Sequence, residues 1–403
     1  MYKRKLYLEK VIPLMDTPVI KVITGMRRAG KSCLMKLIMD ELTGLRVDSE
    51  RIVYINKESL EYDFIRDYKS LYSFVKEKFS TVDGRKYLFI DEIQEIHSWE
   101  KAVTSFFSQG DTDIYLSGSN AGLLSSEIAT LLSGRYIEIP VYTLGFDEFL
   151  TFGQRGGKNL STDFSDYLKF GGFPAIHHFP MNETIIWQYI TSVYDTIVLR
   201  DVIQRNNIRN VRLFEDITRY IFDNTGNIFS SKKVSDFLKS QKISVGVETV
   251  QNYISHLISA YAIHKVCRYD IKGKRILELH EKYYPGDIGL RHALLGYRES
   301  DISGLLENIV FLELKRRGYQ VYIGKFGDTE IDFIAEKEKS RIYIQVTYLL
   351  ASEKTIDREF SPLLQTPDNY PKYVLSMDQF FGDDINGIKR MHIIDFLLSS
   401  EDF

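Results

Sequence analysis

The run Val22-Ile-Thr-Gly-Met-Arg-Arg-Ala-Gly-Lys-Ser-Cys-Leu-Met constrains this chain more than any other stretch, because Gly25 to Ser32 matches G-x-x-x-x-G-K-[ST]. The apolar run from Val19 to Ile23 predicts a buried strand, and Cys33-Leu-Met-Lys-Leu-Ile-Met-Asp-Glu-Leu predicts a helix. The motif therefore stands at a strand-to-helix junction, the context its mechanism requires. Gly25 and Gly30 let backbone N–H groups turn inward on phosphates, where the helix N-terminus adds partial positive charge. Met26, Arg27, Arg28 and Ala29 complete the loop, and Cys33 opens the helix. In such a loop Lys31 neutralises the β- and γ-phosphates and Ser32 ligates Mg²⁺, so ATP with Mg²⁺ is the expected ligand.

One such module does not fill 403 residues, a length that predicts two to four domains. A hydrophobic share of 44% and a charged share of 27% are those of a globular protein. No apolar run approaches the roughly 18 residues of a membrane span. The basic start Met-Tyr-Lys-Arg-Lys-Leu lacks the apolar core of a signal peptide. Two cysteines, Cys33 and Cys267, build neither a disulfide framework nor a four-cysteine metal site, so buried thiols in a reducing cytoplasm are expected. The net charge of −3 decides nothing about nucleic acid, since a basic face can sit within a neutral total.

Taken in order, Leu6 to Leu14 reads as a short amphipathic helix, Arg51 to Asn56 as a strand and Tyr68 to Phe79 as a helix. Lys86-Tyr-Leu-Phe-Ile-Asp-Glu is an apolar strand ending in two carboxylates. Asp91 is placed to hold Mg²⁺ through water, and Glu92 to polarise the attacking water. A further strand, Asp113 to Ser117, ends in Gly118-Ser-Asn at the carboxyl edge where open α/β sheets bind ligands. Ser119 or Asn120 can orient water there, although a plain turn fits the same residues. Leu131-Leu-Ser-Gly-Arg-Tyr-Ile-Glu-Ile-Pro reads as a helix end, an arginine and a fifth strand. Arg135 is thus a candidate arginine finger, in cis or in trans, against the commoner solvated strand-edge arginine.

Gly25-Met-Arg-Arg-Ala-Gly-Lys-Ser, Asp91-Glu-Ile-Gln with Trp99, Ser117-Gly-Ser-Asn and Gly134-Arg resemble the prokaryotic AAA-type ATPases of the archaeal-ATPase and STAND-like group, which carry a double arginine in the P-loop. The resemblance continues through Gly171-Gly-Phe-Pro and Asp195-Thr-Ile-Val-Leu-Arg-Asp into a C-terminal domain of formerly unknown function. It implies a multidomain α/β protein: a P-loop ASCE/AAA-type parallel sheet over 1–142, a helical lid over 143–212, a winged helix over 213–298 and a restriction-endonuclease-like PD-(D/E)XK domain over 299–403.

In the lid, Arg200, Arg205, Arg209 and Arg212 suit a nucleotide or a nucleic-acid backbone, or simply a solvated helix face. Three helices over 213–224, 232–241 and 247–262, then strands over 263–269 and 275–281, make the winged-helix pattern. The third helix offers Glu248, Gln251, Asn252 and His256 and no Lys or Arg, which is poor for major-groove reading. Lys265, Arg268, Lys272, Lys274 and Arg275 make the hairpin the better candidate for neutralising phosphates.

Gly304 to Arg317 reads as an amphipathic helix, followed by strands beginning at Gln320, Glu330 and Arg341. Against the nuclease pattern, Glu307 matches the helix acid, Asp332 the metal-binding Asp, and Gln345-Val-Thr the E-x-K element. Gln345 is a weaker ligand than a carboxylate and Thr347 lacks the lysine's charge, so a nuclease fold that has lost cleavage is expected. The sequence as a whole predicts an ATP-hydrolysing switch acting with DNA. A regulatory ATPase with a protein partner and a working ATP-dependent nuclease are the alternatives, and oligomerisation is left open.

Overall fold

Five of the apolar runs become parallel strands: β1 (Ile20–Thr24), β2 (Ile52–Asn56), β3 (Lys86–Asp91), β4 (Thr112–Gly118) and β5 (Tyr136–Pro140), in the order β2-β3-β4-β1-β5. Every residue of β1 and β4 is buried, as expected of strands covered on both faces. Phe89 and Tyr115, opposite one another on β3 and β4, stack with ring centroids 4.4 Å apart. The computed structural model describes residues 2–124, 132, 134–155, 159–179, 182–379 and 384–400. The expected helix end at Leu131 and Ser133 lies outside them. The chain forms two compact units, Met1–Tyr142 with Ser259–Tyr261, and Thr143–Ile258 with Ala262–Phe403. No helix among the described residues is long and apolar enough to cross a membrane.

In the first unit, the helix Lys31–Gly44 buries Leu34, Met35, Leu37, Ile38 and Leu42 on one face. Cys33 falls on the other face and is exposed, while Cys267 is half-buried, which corrects the expectation of two buried thiols. Low on the same sheet, Lys21 and Asp113 form an ion pair with both side chains fully buried. Asp113 also accepts from the Tyr115 hydroxyl at 2.8 Å and the Asp16 N–H at 3.0 Å.

The second unit begins with the helices Phe146–Phe152, Leu160–Phe170 and Glu183–Thr196, the last running on into a π-helical turn, Ile197–Gln204. The Gly171-Gly172 pair ends the second of these for a steric reason. Gly171 has φ +75°, and a Cβ there would stand 2.1 Å from Asp287 Oδ1. Asp287 accepts from the N–H groups of Gly172 and Gly289 at 2.9 and 2.7 Å, and its burial pushes the carboxyl up to about 6.

The helices Val211–Asp223, Ser231–Ser240 and Val247–Ser259 then lead into an antiparallel hairpin, β6 (Ile263–Asp270) and β7 (Arg275–Pro285). Asn210 and Ser230 cap the first two by accepting N–H bonds from Leu213 and Lys233. The hairpin does not project as a free wing. With β8 (Gln320–Phe326), β9 (Thr329–Lys337), β10 (Ser340–Val346), β11 (Lys372–Ser376) and β12 (Lys389–His392) it forms one seven-stranded sheet, ordered β12-β11-β10-β9-β8-β6-β7. β6 pairs with β8 in parallel from Arg268 to Asp270, so the sheet runs through the boundary expected at residue 298. The helix Ile302–Arg316 contributes Glu307, which is nearly buried.

Candidate nucleotide site and carboxylate cluster

β4 lies between β1 and β3, so the ends of all three strands meet at one edge of the first sheet. Gly25, with φ +136°, leaves β1 under the chain leaving β5. A Cβ there would come within 2.1 Å of Val141 O, so no other residue fits without moving the backbone. Gly30, with φ +102°, then starts the helix Lys31–Gly44. Lys31 folds back over the loop, donating to Gly25 O at 3.0 Å and Met26 O at 3.1 Å, and its ammonium stands 3.7 Å from Glu92 Oε1. The two loop arginines differ. Arg27 is buried and pairs with Glu58 at 2.6 Å, whereas Arg28 is exposed and in the left-handed region at φ +67°.

Asp91, the last residue of β3, accepts hydrogen bonds from the Ser117 hydroxyl and, at 3.0 Å, the Tyr54 hydroxyl. Burial first, then the neighbouring Asp91 charge, push the Tyr54 phenol far above its ordinary value, so it remains a donor. Glu92 follows in a left-handed conformation, φ +55°, a strained geometry for a residue other than glycine. Its N–H donates to Ser117 Oγ at 3.1 Å, and its carboxylate accepts from the Gln94 amide and, at 3.0 Å, the Ser119 hydroxyl. Burial alone would raise the Glu92 carboxyl. Lys31, Gln94, Arg27 and Ser119 together outweigh it and hold the group below its usual range.

Of the expected contributors from the Ser117-Gly-Ser-Asn turn, Ser119 reaches Glu92 and Asn120 does not. The Asn120 side chain accepts from Gly122 N–H at 2.6 Å and caps its own turn. Arg135 is set apart by register. Tyr136 pairs with Ile20 at the amino end of β1, while the phosphate loop leaves its carboxyl end. Arg135 thus lies at the opposite edge of the sheet, with its guanidinium over the Phe107 ring at 5.7 Å, and a finger in cis is not supported. Tyr54, Ser117 and Gln94 were not singled out by sequence. Ser117 and Gln94 stand within the quoted runs Ser117-Gly-Ser-Asn and Asp91-Glu-Ile-Gln, whereas Tyr54 has no such signal.

The donors near the loop are the Ser32 hydroxyl, in the first helical turn, and the Asp91 carboxylate. Hard oxygen ligands of this kind suit Mg²⁺.

In the second unit the structure brings Glu307, Asp332 and Gln345 together, and it adds a residue the sequence reading missed. Lys282 of β7, nearly fully buried, places its ammonium 2.7 Å from Glu307, 2.8 Å from Glu330 and 3.6 Å from Asp332. The acids are therefore not left without a lysine, although it stands on a strand other than that of Thr347. Tyr284 donates to the same Glu307 oxygen. Burial lowers the Lys282 ammonium, but Glu307, Asp332 and Glu330 more than reverse this and hold it protonated. Gln345 Oε1 accepts the Asp332 N–H at 3.1 Å, and Asp332 Oδ2 accepts the Val346 N–H at 2.9 Å. Thr347 is buried beside them, its N–H bonded to Leu375 O. Among the described residues no group of three or more His, Cys, Asp or Glu is disposed to hold a metal ion.

The hairpin's basic residues divide as well. Lys272, Lys274 and Arg275 are exposed at its tip, while Lys265 pairs with Glu281 at 2.6 Å and Arg268 is half-buried in the sheet. On the third helix Glu248, Gln251 and Asn252 are exposed, but His256 is half-buried.

Residues 17–150 match the AAA domain family model, and residues 161–301 match a domain of unknown function (DUF8612). An uncharacterized protein of Haemophilus influenzae is 38% identical over 402 residues, covering 99% of both chains. An uncharacterized protein of Methanocaldococcus jannaschii is 31% identical over 358 residues, covering 84% of this chain and 77% of that one. Among solved structures, the Walker-type ATPase PABY2304 of Pyrococcus abyssi aligns at 15% identity and a TM-score of 0.47, over 73% of this chain and 96% of that one. The strand order, the phosphate loop with its partner carboxylates, the AAA-domain match and the long alignments to both relatives agree, and the chain belongs with those relatives to a family built on an AAA-type P-loop ATPase module.

Proposed function

We propose that the chain is an ATP-hydrolysing switch that works with DNA. The observation that carries this reading is the meeting of Lys31, Ser32, Asp91, Glu92 and Ser119 at one edge of the first sheet. Ser32 and Asp91 would hold Mg²⁺, which when bound neutralises phosphate charge. Lys31 lies within the loop as a second cation. Glu92, kept ionised by its neighbours, polarises water, and Ser119 and Gln94 fix the orientation of its carboxylate. Tyr54 and Ser117 do the same for Asp91. The test is phosphate release from ATP with and without single- and double-stranded DNA; no turnover under any of these conditions overturns the reading.

For DNA, the support is the exposed tip formed by Lys272, Lys274 and Arg275. Binding through such a tip is electrostatic and independent of sequence. Replacing all three by Ala is expected to flatten the plot of log affinity against log salt by up to about three units, at roughly 0.9 for each phosphate no longer neutralised. An unchanged slope moves the binding surface elsewhere. Absence of binding at low salt favours a protein partner instead.

The carboxylate cluster is read as non-cleaving. Lys282 stands among the three acids, and the Gln345 and Asp332 oxygens facing the backbone are already used. A protein cation inside the cluster balances charge that a metal would otherwise balance. Plasmid DNA is expected to remain supercoiled with Mg²⁺ or Mn²⁺. Nicking that disappears in both Asp332→Ala and Lys282→Met would instead assign the lysine to catalysis.

A further inference from the structure

The N-terminal helix, Lys5–Val11, is preceded by an arginine that lies almost wholly inside the first unit. The Arg4 guanidinium donates through Nη1 to Ala29 O at 2.9 Å and to Tyr142 O at 3.0 Å. It also lies 4.4 Å from the ring centroid of Tyr7, which is fully buried. The Tyr7 hydroxyl in turn accepts the Tyr142 N–H at 3.0 Å. One residue earlier on that strand exit, Val141 N–H donates to Thr24 O at 2.8 Å, just where the chain turns into the phosphate loop. The strand exit is thus bonded on one side to the start of the loop and on the other to the N-terminal segment. Arg4 closes the circuit by reaching the loop's far end.

The Ala29 carbonyl is a telling place to be held. Ala29 is the last residue before Gly30 and Lys31, and the peptide joining Ala29 to Gly30 is trans. In a trans peptide plane the C=O and the N–H point in opposite directions. A guanidinium that fixes the Ala29 carbonyl on the outer side of the loop therefore aims the Gly30 N–H toward its inner side. Inward N–H groups are what give such a loop its affinity for phosphate. An arginine suits this task, because one guanidinium nitrogen, Nη1, donates to both carbonyls and the group stays charged when buried.

We infer that Arg4, supported by Tyr7, is a positioning residue for the phosphate-binding loop: it fixes the Ala29–Gly30 peptide plane and so sets nucleotide affinity without touching the nucleotide. This rests on the reading of the first unit as an ATP site, and it gives the first turn of the chain a part in that site. The inference separates two quantities that a purely structural role would not separate. Affinity should fall, because the loop N–H groups are no longer pre-aimed. Turnover at saturation should hold, because Glu92, Ser119, Asp91 and Ser117 hold one another through bonds that do not include Arg4.

The experiment uses the full chain with Mg²⁺ and a fluorescent ATP analogue, with Lys31→Ala as the non-binding control. Arg4→Ala is expected to raise the dissociation constant about tenfold or more, the scale of one lost charge-assisted hydrogen bond, while kcat at saturating ATP stays within about twofold of wild type. Added methylguanidinium should recover part of the lost affinity in Arg4→Ala and none in Lys31→Ala. Should Arg4→Ala fail to fold, Arg4→Lys and Tyr7→Phe carry the test. Lysine keeps the charge but lacks the guanidinium that stands over the Tyr7 ring and reaches both carbonyls through Nη1, and Tyr7→Phe removes the acceptor for Tyr142. Both are expected to raise the dissociation constant with the nucleotide-free Tm near that of wild type. Folded Arg4 variants that bind the analogue as wild type does would overturn the inference alone. A wild-type protein that behaves like Lys31→Ala would overturn the ATP reading, and the inference with it.

Discussion

Replacing Glu92 by Gln is expected to leave nucleotide affinity close to wild type and to lower turnover by about 10²- to 10⁴-fold, the range of a lost general base. Glutamine keeps the side-chain length and an oxygen that can accept from Ser119 or from the Gln94 amide, the two groups that orient Glu92. It loses the charge that draws a proton from water. Lys31, 3.7 Å away, loses an anionic neighbour and is left no worse disposed to phosphate, so binding should survive. The Lys31, Gln94, Arg27 and Ser119 groups that hold Glu92 below the ordinary carboxylate range also mean that wild-type turnover should not lose this base until well into the acid range. Analogue titration and phosphate release measure the two quantities separately. Equal turnover in the variant and wild type would remove Glu92 from the mechanism.

Asp113→Ala is expected to destabilise the first unit by about 3–5 kcal/mol, because it leaves the Lys21 ammonium buried without its anion. Burial already pulls Lys21 below its ordinary value, with Asp113 acting in the opposite sense. The same deletion strips an acceptor from the Tyr115 hydroxyl and the Asp16 N–H. Replacing the pair together, Lys21→Met with Asp113→Leu, should recover much of the loss, since apolar side chains of similar volume need no counter-charge. Urea unfolding of the single and double variants decides it. A single variant within about 1 kcal/mol of wild type would mean that Lys21 reaches water or another acid.

The layout of the candidate nucleotide site was legible because its elements are local. The loop from Gly25 to Ser32 and the pair Asp91-Glu92 are contiguous motifs whose neighbours in sequence are also their neighbours in space. The helices beginning at Val211, Ser231 and Val247 were legible for a similar reason, since an apolar period repeats within each. What the sequence hid were pairings across long separations. Reading the hairpin's second strand as ending at Glu281 stopped one residue short of Lys282, whereas β7 continues to Pro285. No periodicity links position 282 to 307 and 332; only the sheet order and the helix lying on it do. Arg135 failed as a cis finger for a register reason, because the strand that follows it begins at the wrong edge of the sheet. Arg4 carries no motif at all and is identified by the contacts it makes in the fold, two of them to the Ala29 and Tyr142 carbonyls.

The joining of β6 to β8 has a consequence for how the second unit can be taken apart. A chain cut after residue 298 would keep the three helices and the hairpin but strip β6 of its parallel neighbour, and the remaining piece would present β8 with an uncovered rim. Both fragments would carry open rows of N–H and C=O groups of the kind that recruit foreign strands. Lys282 would part company with Glu307, Glu330 and Asp332 at the same stroke. The basic tip and the acid cluster thus belong to one continuous sheet, and separating them means cutting through it.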